Sequence, residues 1–156
     1  MVIEQIGRLL PFSREQVFDL AADIEHYPDF LRGWTTAQVR RRESNICYVD
    51  QVVGLGPLRV RFSSKAVLLR PVRIDITSSD PPFRRFSLSW LVESVPSVGC
   101  RVSIITELQL QSRFLQQAVD VVLPDRVADI IEAFEARARR LYSVRDESVN
   151  REAPGN

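Results

Sequence analysis

The chain has 156 residues, 45% of them hydrophobic and 26% charged, with a formal net charge of +1. That length suits one domain, able to bury roughly two-thirds of its unfolded surface in a core. The near-neutral balance excludes a DNA or RNA binder driven by bulk charge, though not a local basic patch, and the apolar fraction excludes global disorder. Cys47 and Cys100 make no CxxC pair and no disulfide framework, and with His26 as the single histidine almost no route to a zinc site is left. The opening run MVIEQIGRLLPF lacks the basic and long apolar regions of a secretion signal, and no stretch approaches the about 18 apolar residues of a membrane span. A cytoplasmic protein is expected, with at most peripheral contact at the inner face of a membrane.

In chain order, Val2 to Leu10 reads as a short strand stopped by Pro11. Ser13 and Gln16 form a capping-box pattern ahead of an apolar stripe at Val17, Phe18, Leu20 and Ala21. Asp23 is placed to cap a second short helix carrying Ile24, Tyr27 and Phe30. From Trp34 the period changes to two. Residues 34–42 and 45–53 read as strands around a turn at Ser44 and Asn45, and Gly54, Gly56 and Pro57 mark the next turn.

Leu58, Val60, Phe62, Ser64, Ala66 and Leu68 then alternate with Arg59, Arg61, Ser63 and Lys65. After Pro71, residues 72–79 set Val72, Ile74 and Ile76 against Arg73, Asp75 and Thr77. Beyond the Asp80–Pro82 loop, Phe86, Leu88, Trp90 and Val92 share a face. After the turn at Pro96–Gly99, Val102, Ile104, Leu108 and Leu110 share another. Short turns between successive strands mean an antiparallel meander, and clean alternation means one dry and one wet face.

The dry face needs a cover. Helical spacing from Arg113 to Tyr142, through Val119, Val122, Val127, Ile130, Ile131, Phe134, Ala138 and Leu141, supplies one. Thirty such residues extend ~45 Å at about 1.5 Å each. Pro124 inside the run is expected to kink or split it. The expected fold class is therefore α+β, a helix-grip fold. A curved antiparallel sheet of about seven strands wraps around a long C-terminal helix, with two short helices after the first strand. One domain over 1–145 and a disordered tail over 146–156 complete the expectation. A curved sheet and a straight helix leave space between them, so an apolar cavity is expected there.

The run FDLAADIEHYPDFL (Phe18 to Leu31) resembles the F-D-L-V-x-D-I-x-x-Y-P-x-F-L signature of the coenzyme Q-binding START-domain family, within the larger polyketide-cyclase/dehydrase-like group. FSSK (Phe62 to Lys65), the Pro82–Phe83 pair before Trp90, Cys100–Val102 and AFEARARRLY (Ala133 to Tyr142) follow in the family's order. Where relatives carry Pro-Trp-Cys after the Phe-Leu pair, this chain has Arg32, Gly33 and Trp34. The resemblance implies a helix-grip cavity holding ubiquinone or another polyprenyl lipid, in support of bacterial respiratory electron transfer and without catalysis or a catalytic cofactor. A close branch of the family is a ribosome-association toxin that blocks subunit joining, so a ribosomal subunit is the alternative partner.

Phe62, Phe86, Trp90, Phe114 and Phe134 are candidates for the cavity wall, with Phe30, Val122 and Ile130 beside them. Tyr27, Trp34 and Tyr48 are candidates for a quinone head group. The same residues would equally fill a core. An isoprenoid tail needs only apolar length, at roughly 0.8 kcal/mol per buried CH₂, and so leaves no motif. Of the 21 basic residues 20 are arginine. Arg40–Arg42 and the arginines at 59, 61, 70, 73, 84 and 85 would form a basic patch if the meander gathers them on one face. Such a patch would suit anionic lipid or ribosomal RNA. A cyclase or dehydratase ranks last, because the expected inward faces are nearly all apolar and offer no general acid or base.

Overall fold

The computed structural model describes residues 2–56 and 58–152, with side chains described between 3 and 142 except at 55 and 57. Strand β1 (Val2–Leu10) leads into α1 (Arg14–Ala22), a single 3-10 turn (Ile24–His26) and α2 (Tyr27–Phe30). Six strands follow: β2 (Trp34–Glu43), β3 (Ile46–Leu55), β4 (Leu58–Leu69), β5 (Arg73–Ser78), β6 (Phe83–Val95) and β7 (Gly99–Leu110). Helix α3 (Arg113–Glu152) closes the chain. The tail expected over 146–156 lies outside the residues described with side chains.

All strands pair antiparallel in one sheet, in the order β1-β7-β6-β5-β4-β3-β2, so β1 returns to pair with the last strand (Leu10 opposite Cys100). This is the expected α+β helix-grip arrangement. Alternation sets the faces: Val60, Phe62, Ser64 and Ala66 of β4 are buried while Arg59, Arg61, Ser63 and Lys65 are exposed. Val72 departs from its expected place. It lies in the turn before β5 and is 46% exposed, so only Ile74 and Ile76 of that segment enter the core.

Three irregularities interrupt the ladder: at Trp34/Thr36, at Val39/Arg41 and at Phe83/Arg85. Each is a bulge, in which an extra residue breaks the two-residue period and bends the strand.

Ser13 caps α1 as its sequence predicts. Its Oγ accepts from Gln16 N at 3.1 Å while its own N–H donates to Gln16 Oε1 at 3.0 Å. Asp23 does not cap the following turn as expected. Its Oδ1 instead lies 2.8 Å from His26 Nδ1, and this hydrogen bond and charge hold the exposed His26 pKa above its ordinary value. A raised pKa means the contact favours the fold fully below the ordinary value of about 6.5 and fades as pH climbs through the raised one. Asp23→Asn is expected to bring the His26 pKa down in an NMR titration; an unchanged midpoint would remove Asp23 as its cause.

Helix α3 lies across the dry face. Val119, Leu123, Val127, Ile131, Phe134 and Ala138 are buried. Leu141, expected inward, is 37% exposed, and Tyr142 takes the inner position, donating to Gln16 O at 2.9 Å. Pro124 neither ends nor splits the helix. It sits on the exposed side together with Asp120, whose carbonyl loses its N–H partner and can be solvated there. Glu135 fixes the far half by accepting from Arg8 at 2.7 Å and from Arg139 at 3.0 Å. Burial pushes its carboxyl up, but the two guanidinium bonds outweigh it and hold the group below the usual range.

Candidate functional site

Two places formed by the described residues bear on function. The first is a slot under α3, floored by β3, β4, β6 and β7 and roofed by Leu123, Val127 and Ile130. Its volume is about 40 Å³. Small-molecule sites span ≈ 300–1,000 Å³, and a single water takes at least about 10–15 Å³ by the same kind of measure. Among the described residues the expected roomy hollow is therefore absent. The reason is local. Phe62, Phe83 and Phe86 stack into a cluster with ring centroids 5.1, 5.2 and 5.4 Å apart, and that cluster occupies the space the sheet's curvature opens.

Four of the ten expected cavity residues line the slot: Trp34, Phe62, Phe86 and Ile130. Trp90 and Phe134 are fully buried instead and pack on each other at 4.7 Å. Tyr27 is 1% exposed and its hydroxyl donates to the Ala21 carbonyl, bracing the bend between α1 and α2. Burial pushes its phenol above its ordinary range. Phe30 packs against Tyr27 and Phe134 with the Arg137 guanidinium over its ring. Val122 lies over the turn at Gly56. Tyr48 is on the opposite face of the sheet, beneath the Arg41 guanidinium. Phe114 is 80% exposed and lines nothing.

The interior is also less apolar than its sequence predicts. Gln51, Ser64 and Thr106 are all buried. Trp34 Nε1 donates to Gln51 Oε1 at 2.8 Å, and Gln51 Nε2 donates to Ser64 Oγ at 2.7 Å. Thr106 Oγ1, on the slot wall, has no hydrogen-bond partner. A buried, unpaired hydroxyl costs about 1–3 kcal/mol. The signal for Thr106 is its place between Ile104 and Leu108, at an inward position of β7. The two cysteines are buried, and burial lifts the Cys100 thiol to about 11, so it stays an unreactive packing group at neutral pH.

The second place is the outer face of the sheet, away from α3. Two open depressions of about 710 and 540 Å³ meet there, sharing Arg40, Asp50, Ser63 and Asp80. Their cations are Arg40, Arg41, Arg61, Lys65, Arg84 and Arg85, against the carboxylates Asp50 and Asp80. Bulges create this density. With strict alternation one of two consecutive residues would turn inward, but the bulge at Val39/Arg41 brings both Arg40 and Arg41 to the outer face. The one at Phe83/Arg85 does the same for Arg84 and Arg85. Arg40 pairs loosely with Asp50 at 3.3 Å, Arg41 with Glu43 at 3.2 Å and Arg85 with Glu107 at 3.4 Å. Arg61, Lys65 and Arg84 form no ion pair among the described residues. Arg42, third in its run, points to Cys47 Sγ at 3.2 Å, and Arg70 and Arg73 are held by Asp19 and Asp75. The basic face is thus a subset of the arginines that sequence singles out.

A family model described as polyketide cyclase / dehydrase and lipid transport matches residues 10–135. The chain belongs to this family. The coarser functional expectation, a START-like domain of a hydrophobic-ligand family, stands with it. The ribosome association toxin RatA of Escherichia coli K12 is 25% identical over 147 residues, 93% of each chain. The mitochondrial coenzyme Q-binding protein COQ10 homolog B of Xenopus laevis is 21% identical over 142 residues, 87% of this chain and 57% of that one. A START superfamily protein from Mycobacterium smegmatis superposes with a TM-score of 0.78 at 11% identity, over 89% of this chain and 98% of that one. The Zhui aromatase/cyclase from Streptomyces sp. R1128 does so with 0.79 at 12% identity, over 89% and 94%. The expectation of a protein without catalysis does not hold as an exclusion. The matched family is described by cyclase and dehydrase activity, and the fold carries an aromatase/cyclase. Among the described residues, no helix is long and apolar enough to cross a membrane.

Proposed function

We propose that this protein associates with a ribosomal subunit through the outer face of β2–β6, contacting RNA phosphates with Arg61, Lys65, Arg84 and the loosely paired Arg40, Arg41 and Arg85. The observation that carries the reading is the doubling of arginines by two bulges onto one open face of a chain whose formal charge is only +1. Exposed pairs such as Arg40–Asp50 contribute little, so phosphate can replace the carboxylate at small cost. Likeness to RatA over nearly its whole length supports the same partner. Phosphate contacts release counterions, with a slope of about −0.7 to −0.9 in log affinity against log salt per contact. Three contacts alone then predict roughly 20- to 40-fold weaker co-sedimentation with a subunit at 200 mM than at 50 mM salt. Arg61→Glu/Lys65→Glu/Arg84→Glu is expected to abolish binding and leave the melting temperature nearly unchanged. Salt-independent co-sedimentation, or a triple variant that still binds, would overturn the proposal.

A second reading keeps a hydrophobic ligand, with a polyprenyl quinone such as ubiquinone as its candidate. It is favoured by the apolar slot and the unpaired Thr106 hydroxyl, which a ligand carbonyl would satisfy. Similarity to the COQ10 homolog supports it. At about 40 Å³ the slot must open before any prenyl chain enters. The part of α3 able to give way is the stretch around Pro124. It lies between two anchors, Gln116 bonded to β7 at Leu110 N and Glu135 bonded to Arg8. Native mass spectrometry of freshly purified protein should find bound lipid. Its absence, together with no stabilisation by added quinone, would retire this reading.

A further inference from the structure

Two arginines that neither reading uses line the slot. Arg32 comes from the turn between α2 and β2 and Arg126 from α3. Neither forms an ion pair among the described residues, although arginines elsewhere on the surface, such as Arg70 with Asp19, do. Gly33, next to Arg32 in the chain, lies beside Arg126 in space. It has φ +97°, and a Cβ there would lie 4.0 Å from Arg126 Nη1, so this guanidinium sits over bare backbone. The rest of the slot is apolar apart from Thr106 and the Trp34 indole.

We propose that the slot is a site for an anionic amphiphile, an acyl or prenyl chain ending in a carboxylate or phosphate. Its tail would lie under Leu123 and Val127 and its head between Arg32 and Arg126. The inference rests on the hydrophobic-ligand reading and narrows its chemistry. A neutral head leaves both guanidinium groups as they are and gains nothing from them. An anion gains charge-assisted hydrogen bonds from two planar donors on separate elements. The head group would also tie the α2–β2 turn to α3, closing the mouth behind the tail. The two head-group arginines are absent from the basic outer depressions, which have only Phe62 and Phe86 in common with the slot.

The test compares dodecanoate, dodecyl phosphate, dodecanol and inorganic phosphate on the full chain by calorimetry. Both anionic chains are expected to bind about tenfold or more tighter than dodecanol, and inorganic phosphate not measurably. Arg32→Gln/Arg126→Gln should erase that preference while leaving dodecanol affinity unchanged. Ile130→Trp, which fills the slot and keeps both arginines, should remove all three chains. Equal binding of dodecanol and dodecanoate by the unaltered protein would overturn the anionic head while sparing the hydrophobic-ligand reading. Failure of every chain to bind would overturn both. Inorganic phosphate bound as tightly as dodecyl phosphate would show a surface anion site unconnected to the slot and would also overturn the proposal.

Discussion

Phe134→Ala is expected to destabilise the protein by about 3–5 kcal/mol, lowering its melting temperature by roughly 6–20 °C. The ring is fully buried at the middle of α3, 4.7 Å from Trp90 of β6 and 6.5 Å from Phe30 of α2. Truncation removes the apolar transfer energy and leaves a cavity bounded by three rigid elements, none of which can close it alone. It also removes an aromatic pair worth about 0.5–1.5 kcal/mol beyond its area. Phe134→Leu keeps most of the apolar volume and should cost clearly less. A loss under about 1 kcal/mol in the alanine variant would mean that α3 does not rest on β6 through this contact.

Gly99→Ala should be comparably damaging for a different reason. Gly99 opens β7 with φ +135°, a conformation that side chains rarely adopt. A Cβ there would sit 2.4 Å from Leu10 O and 2.7 Å from both Phe12 N and Phe12 O. All three are backbone atoms of the segment joining β1 to α1, so no rotamer change relieves the clash. Strain of about 1–3 kcal/mol adds to an overpacking cost of about 1–3 kcal/mol. Gly7→Ala is the matched control. Its Cβ would meet the mobile Ser103 Oγ at 3.2 Å, so its effect should stay within about 1 kcal/mol. Chemical denaturation of both variants decides the matter. Equal midpoints at equal slopes would mean that the Gly99 turn tolerates a side chain after all.

The fold was legible because its signals are local and repeated. Alternation over β4 and β7, the capping box at Ser13 and Gln16, and the 3.6-residue stripe of α3 each follow from side-chain direction alone. The site was less so. Nothing in the residues around Arg40 or Arg84 marks a bulge, which is decided by the register of the partner strand. Strict alternation therefore left open which of the named arginines share a face. The slot's size was hidden too, because Phe62, Phe83 and Phe86 look the same in sequence whether they edge a hollow or fill it. Phe83 escaped notice as a lining residue because it precedes a bulge and looks out of phase with Phe86. Pro124 suggested a broken helix because proline's cost depends on whether the freed carbonyl meets water, which is a tertiary fact.

The two arginine-doubling bulges also determine which length changes the sheet can absorb. Removing Arg40 or Arg84 would restore a regular two-residue period, so the neighbours on either side would keep their orientation and the protein would lose one cation and little else. Removing a residue from an unbulged stretch, such as Arg61 of β4, would invert the remainder of the strand and send Val60 or Phe62 to solvent. Deletion scanning along the sheet should therefore find tolerant points at these two bulges and at the third, between Trp34 and Thr36, within otherwise intolerant strands. The same points are where a homologue could shed or acquire surface charge one residue at a time without rebuilding its interior.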